Sequence, residues 1–172
     1  MPTEQPSTAL RAVQIGGVAK AVLLQRLAAA QVQINPAGQQ LFADGRFRTA
    51  AQPERILVQQ ISVAGLGLAG GGQMAEILDA AAQRGLKPCP LELAAHLRLL
   101  LRDQDEGALG FAPTRYRAPP GAITVVSAPL CEDDELPKGF YLRRIEGTLW
   151  LRGYWSWAGH VRQPEEQLVF AS

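Results

Sequence analysis

Hydrophobic and polar residues alternate most regularly near the C-terminal end of the chain, in residues 138–157. Two runs of β-favouring residues flank Glu146 and Gly147, a pair typical of a two-residue turn in which glycine takes a positive φ. A turn of this length fixes the register between residues 140–145 and 148–153. The pattern therefore predicts a β-hairpin.

The predicted register gives the hairpin one apolar and one mixed face. The apolar face, which we expect in the core, carries Phe140, Leu142, Leu149 and Leu151. The mixed face carries Tyr141, Arg143, Trp150 and Arg152. Each arginine of the mixed face lies opposite an aromatic ring, so we expect Arg143 to stack on Trp150 and Arg152 on Tyr141 as cation–π pairs. Because these residue types dominate binding hot spots, the mixed face is a candidate binding surface.

Apolar residues recur at helical spacing in four segments before the hairpin: 18–30, 36–43, 73–84 and 90–102. Asn35 suits the N-cap of the second helix, and Pro36 suits its first position. Further strands are expected at 54–64, 122–127 and 167–170. In the fourth helix, Arg98 and Arg102 lie one turn apart and are expected to face solvent or nearby carboxylates.

This order of elements predicts an α+β fold. A mostly antiparallel sheet with a C-terminal β-hairpin packs against the two central helices, and an N-terminal helix pair caps it. We divide the chain into a flexible arm at 1–17, an N-terminal helical pair at 18–50 and an α+β domain at 51–172.

Composition and charge exclude several classes of protein. The chain has 172 residues and a net charge of +1, so no global field steers it to nucleic acid or acidic membranes. Its two cysteines, Cys89 and Cys131, form no CxxC pattern and are expected as free thiols without zinc. No signal peptide and no membrane span of roughly 20 apolar residues is visible. We therefore expect a cytoplasmic protein with no membrane partner.

Two further motifs suggest ligands but match them poorly. Residues 65–70 read GxGxxG between a predicted strand and helix, as in dinucleotide-binding proteins. No second parallel strand ending in an acidic residue follows, so a flexible glycine turn without a cofactor is favoured. Residues 132–135 are all acidic, but their spacing matches no calcium loop, and we expect a solvated run without a metal.

Candidate catalytic residues are few. His96 shares a helix side with apolar residues, and His160 follows the hairpin in a Trp- and Gly-rich segment. The sequence shows no nucleophile paired with either histidine. An enzyme of hydrolase or transferase type that uses His96 or His160 is therefore an alternative, and it needs a nearby carboxylate. A cleft with a histidine beside a carboxylate favours the enzyme, whereas a flat face of arginine and tryptophan favours a binder.

The leading hypothesis is a non-enzymatic protein-interaction or accessory protein with an unidentified protein partner. Nucleic-acid binding is the other alternative. It uses the mixed hairpin face together with the basic-aromatic triplet Arg115, Tyr116 and Arg117 of a long loop. The near-neutral charge favours a protein over a nucleic acid as the partner.

Three stretches resemble a family of bacterial hypothetical proteins of similar length. They are residues 85–93 with 96–99, residues 137–154, and Val169-Phe170. The resemblance implies a bacterial, soluble protein and transfers no activity, cofactor or site residue.

Overall fold

The computed structural model describes residues 10–107 and 121–172, in which helices and strands are interleaved along the chain. The four α-helices of this part are α1 (Lys20–Ala29), α2 (Pro36–Ala43), α3 (Met74–Ala82) and α4 (Leu93–Leu100). The strands are β1 (Leu10–Ile15), β2 (Gln33–Ile34), β3 (Glu54–Ser62), β4 (Gly72–Gln73), β5 (Ile123–Val125), β6 (Gly139–Ile145), β7 (Thr148–Tyr154), β8 (Val161–Arg162) and β9 (Gln167–Ala171). The predicted α+β class is confirmed. The triplet Arg115, Tyr116 and Arg117 lies outside the described residues.

Seven strands form one sheet in the order β1-β3-β9-β5-β6-β7-β2, and β4 and β8 form a separate pair. Four neighbouring pairs of the large sheet are antiparallel: β1–β3, β3–β9, β5–β6 and β6–β7. Strands β5–β9 and β2–β7 are parallel. The expectation of a mostly antiparallel sheet is therefore confirmed. Because β3 runs antiparallel to both neighbours, the glycine run that follows it is not part of a parallel nucleotide-binding unit.

The hairpin of β6 and β7 has the predicted register, with Arg143 opposite Trp150. Its turn residues Glu146 and Gly147 have φ angles of 48° and 78°. Two consecutive positive φ values are typical of a type I′ turn, whose twist matches that of the flanking strands. The turn thus fixes which side chains each face of the hairpin carries.

Helices cover the two faces of the sheet unequally. The face that we call the inner face packs against α1, α2 and α4, and its buried residues include Val13, Val58, Val125, Phe140, Leu151 and Val169. The opposite, outer face packs against α3, with Ile77 and Ala81 on Ile61, Leu168 and Phe170 of β3 and β9. Along the hairpin, the outer face carries the alternate side chains Tyr141, Arg143, Trp150 and Arg152.

One prediction about a chain segment was wrong. Residues 10–15 of the expected arm 1–17 form β1 instead, because Val13 and Ile15 alternate into the inner core. Residues 33–34 form β2 and join the sheet beside β7. The strand expected at 54–64 is confirmed as β3, which ends at Ser62 and is followed by a 3-10 turn at Ala64–Leu66. Segments before and after residue 51 therefore share one sheet.

Asn35 attaches α2 to the hairpin. As predicted it is the N-cap, and its Oδ1 accepts hydrogen bonds from the amides of Gly38 (2.9 Å) and Gly153 (2.8 Å). Its Nδ2 donates to the Gly153 carbonyl at 3.1 Å. A Cβ at Gly153 would lie 2.6 Å from the carbonyl carbon of Ala37, so only glycine permits this close approach.

The turn geometry generates a stability prediction. Gly147→Val should lower the free energy of unfolding by about 1–3 kcal/mol, because a β-branched residue tolerates a positive φ poorly. Glu146→Asn is the matched control, since asparagine suits the left-handed region, and it should preserve or raise stability. Urea melts measure both. A Gly147→Val melt equal to that of the parent would contradict the turn.

Candidate functional site

The outer face of the hairpin carries a checkerboard of four residues that we call the arginine–aromatic quartet: Tyr141, Arg143, Trp150 and Arg152. Arg143 lies opposite Trp150, and Tyr141 lies opposite Arg152. The two cations therefore occupy one diagonal of the checkerboard and the two rings the other. Tyr141, Trp150 and Arg152 are partly exposed, whereas Arg143 is only 8% exposed. The structure thus brings together the four residues that the hairpin pattern predicted.

The contacts within the quartet differ from the expected stacking. The guanidinium carbon of Arg152 lies 4.9 Å from the ring centroid of Trp150, two residues away on the same strand. Its Nε donates a hydrogen bond of 2.8 Å to the hydroxyl of Tyr141. Arg152 therefore stacks on Trp150 rather than on Tyr141, because the hydrogen bond holds it at the edge of the tyrosine.

The two arginines of the quartet are not neutralised within the described ranges. No carboxylate of residues 10–107 and 121–172 forms an ion pair with Arg143 or Arg152. The Nε of Arg143 is buried without a hydrogen-bond partner. A buried donor and an unpaired charge each cost free energy. The quartet is therefore an electropositive patch framed by aromatic rings.

The row of aromatic and arginine side chains continues past the quartet. The ring of Tyr154 lies 6.5 Å from that of Tyr141, and the guanidinium of Arg162 lies 5.2 Å from the Tyr154 ring. Arg162 forms a buried ion pair of 3.1 Å with Glu166. Unlike the quartet, this end of the row has its charge compensated.

His160 belongs to the border of this row. Its ring lies 5.2 Å from that of Trp157. Burial, and next the charge of Arg162, lower the pKa of His160, while Glu166 acts in the opposite direction. The imidazole is thus held neutral near pH 7. His160 is thus a neutral side chain whose ring is tilted by 49° against that of Trp157.

His96 lies in the interior at α4. Its Nε2 is 3.3 Å from Oε2 of Glu92, a residue that is only 2% exposed. The same carboxylate accepts hydrogen bonds from the amides of Ala50 (2.6 Å) and Gly16 (3.3 Å). The carboxylate oxygens of Glu92 therefore accept hydrogen bonds from backbone amides and hold two segments of the chain in place. The pair of histidine and carboxylate exists, as an enzyme requires, but it is largely buried, with His96 only 9% exposed.

A cavity of about 510 Å³ lies elsewhere, between the start of β3, residues 87–90 and the end of β9. Its lining includes Cys89 and Lys87 but neither histidine. Burial raises the pKa of the Cys89 thiol to about 12. The thiol is therefore protonated at neutral pH and is a poor nucleophile.

Sequence reasoning missed the residue that supports the quartet from below. Arg98, expected at the surface, is fully buried. Its Nη1 donates to Oε1 of Gln104 (2.6 Å) and to the carbonyls of Arg143 and Trp150 (both 3.4 Å), and its Nη2 donates to the Leu101 carbonyl. Burial lowers the pKa of Arg98 to about 10, so it remains a cation near pH 7.

Comparisons with protein-family models, curated proteins and solved structures gave no match. The resemblance to bacterial hypothetical proteins therefore remains a prediction. In residues 10–107 and 121–172, no helix is long and apolar enough to cross a membrane. The same residues contain no group of three or more His, Cys, Asp or Glu side chains placed to hold a metal ion.

Removal of the buried guanidinium should be costly. Arg98→Ala leaves a cavity and several carbonyl groups without donors, so we expect the free energy of unfolding to fall by about 3–5 kcal/mol. Arg102→Ala removes an exposed arginine from the next turn and should change it by less than about 0.5 kcal/mol. Urea melts of the two variants make the comparison. Similar losses in both would show that Arg98 does not support the hairpin.

The neutral state of His160 predicts a pH dependence. A folded-state pKa below the unfolded value means that the unfolded chain binds more protons, so this group destabilises the fold as pH falls through about 6.5. When the pH is lowered from 7.5 to 5, the melting temperature of His160→Gln should therefore fall less than that of the parent. Parallel curves for the parent and the variant would refute the assignment.

Proposed function

We propose that this protein is a non-enzymatic binding protein that receives a partner protein on the arginine–aromatic quartet. The observation that carries the proposal is the charge of Arg143 and Arg152 between two aromatic rings on a sheet face, which no carboxylate of residues 10–107 and 121–172 pairs with. Trp, Tyr and Arg are the residue types most enriched in binding hot spots. Charged groups without a partner in the free protein gain most from a complementary ligand.

The support beneath the quartet favours binding as well. Arg98 holds the carbonyls of Arg143 and Trp150 from the inner face. Backbone held in this way loses little further freedom when a ligand docks, which reduces the entropic cost of association. Asn35 adds a second attachment on Gly153 of the same strand. The quartet is therefore presented by a preorganised surface.

The enzymatic alternative has weaker support. His96 has a carboxylate neighbour but is only 9% exposed, and the ring of His160 lies against that of Trp157. Nucleic-acid binding through Arg115, Tyr116, Arg117 and the quartet remains the second alternative, and the experiment below includes it. A bacterial, cytoplasmic setting is part of our proposal, and the two free cysteines support a reducing compartment.

Selection of peptides on the immobilised protein tests the proposal. We expect phage displaying random 12-residue peptides to yield clones that bind the parent and lose at least tenfold in affinity on Trp150→Ala. Leu57→Ala is the control, because Leu57 is an exposed apolar residue (45%) on β3. It should leave binding unchanged.

The free energy of unfolding of Trp150→Ala shows whether a loss of binding comes from the site or from unfolding of the protein. Trp150 is partly exposed, so its truncation should cost only about 1 kcal/mol, the scale of a cross-strand pair. Failure to enrich any clone, or clones that bind Trp150→Ala as well as the parent, would reject the quartet as a protein-binding site. A single-stranded 12-residue oligonucleotide that binds more tightly than every clone would favour the nucleic-acid alternative instead.

A further inference from the structure

We infer that the segment recognised by the quartet is an extended acidic peptide, with a carboxylate over Arg152 and apolar side chains two positions before and after it. This inference rests on the proposed function and adds the chemistry of the partner. It follows from the charge state of the quartet, from the hydrogen-bonding groups left on Arg152 and from the spacing of side chains along β7.

Arg152 is prepared to bind a carboxylate. Its Nε donates a hydrogen bond to the Tyr141 hydroxyl, and its guanidinium carbon lies over the Trp150 ring, 4.9 Å from the centroid. Within residues 10–107 and 121–172, its two Nη groups have no hydrogen-bond acceptor. A planar guanidinium with both terminal nitrogens available matches the two oxygens of a carboxylate. The ring and the hydroxyl hold the arginine in place before the ligand arrives.

Arg143 strengthens the preference for an acidic ligand. Its charge is already largely removed from water, since only 8% of the residue is exposed. The desolvation cost of this cation is therefore borne by the free protein and is not added on binding. A carboxylate at Arg152 also attracts the Arg143 charge on the same diagonal of the checkerboard, through a region of lower dielectric than bulk water.

Strand geometry fixes the positions of the flanking residues. Trp150, Arg152 and Tyr154 alternate on the outer face of β7, so neighbours in this series lie about 6.6 Å apart, at roughly 3.3 Å per residue. An extended peptide that lies along the strand has the same period. With its acidic residue over Arg152, its side chains two positions away reach the rings of Trp150 and Tyr154.

The charges at the other end of the row restrict the need for an acidic ligand residue to the position over Arg152. Arg162, on the far side of Tyr154, is already neutralised by Glu166. A second ligand carboxylate beside Arg162 would be repelled by Glu166 and would add no affinity. The preferred ligand is therefore apolar-x-acidic-x-apolar, rather than a uniformly acidic run.

Two fluorescein-labelled peptides test this chemistry by fluorescence polarisation. One contains Leu-Ser-Glu-Ser-Leu, and the other replaces the glutamate by glutamine. We expect the glutamate peptide to bind the parent at least tenfold more tightly, and Arg152→Gln to remove this difference.

Arg55→Gln is the matched control, because Arg55 is an exposed arginine of β3. It removes the same charge elsewhere and should change the affinity less than twofold. Raising the salt concentration from 50 to 500 mM should weaken the glutamate peptide selectively.

The outcomes separate this inference from the proposed function. If selected phage clones depend on Trp150 but the glutamate and glutamine peptides bind equally, the surface binds proteins and the acidic inference is wrong. If Arg55→Gln reduces binding as much as Arg152→Gln, the attraction is non-specific and the inference is also wrong. Thermal melts confirm that Arg152→Gln is folded, and Arg143→Gln provides a second variant, which should weaken the glutamate peptide by several fold.

Discussion

The buried guanidinium of Arg98 is the interaction on which the hairpin and its outer surface depend. In the described part of the chain it has no carboxylate partner, and backbone carbonyls with Gln104 compensate its charge instead. Carbonyl dipoles compensate a cation only when several converge at short range, so the strands must stay in register around it. Gln104 continues the network to the carbonyls of Leu142 and Gly121. A shift of either hairpin strand would leave both the cation and the carbonyls unsatisfied.

Helix α4 joins the two halves of the chain through opposite charges near its ends. Glu92, just before the helix, accepts hydrogen bonds from the amides of Gly16 and Ala50 in the N-terminal half. Arg98, on its last turns, donates to the carbonyls of Arg143 and Trp150 in the C-terminal half. Each charge is therefore satisfied by backbone groups of the complementary kind. Through these hydrogen bonds the helix connects backbone segments that are distant in sequence.

Local pattern predicted much of this fold. The Glu146-Gly147 turn fixed the hairpin register, and Asn35-Pro36 fixed the start of α2, because turn and cap chemistry operate over a few residues. Strand β1 was missed because its short alternation becomes informative only beside β3, whose paired residues follow 39 (Ile15 to Glu54) to 49 (Leu10 to Gln59) residues later. Arg98 was misassigned for a similar reason. An arginine on a helix predicts exposure, and the carbonyls that compensate it come from strands that only the tertiary fold brings near. The quartet was predicted as a set, but not its contacts, because side-chain rotamers decide which ring an arginine covers.

Positive charge accumulates around the two hairpin strands from both sides. Arg98 lies beneath them, and Arg143 and Arg152 lie above them, although the whole chain carries a net charge of only +1. Within the described residues none of the three forms an ion pair with a carboxylate, whereas Arg162 and Arg144 nearby each have one. The carbonyls compensate the charge of Arg98, whereas within residues 10–107 and 121–172 the buried Nε of Arg143 has no hydrogen-bond partner. Like charges brought together at low dielectric oppose folding, and the anionic ligand proposed for the outer face would relieve that cost. The same electrostatic imbalance that weakens the free hairpin is thus the source of affinity in the proposed complex.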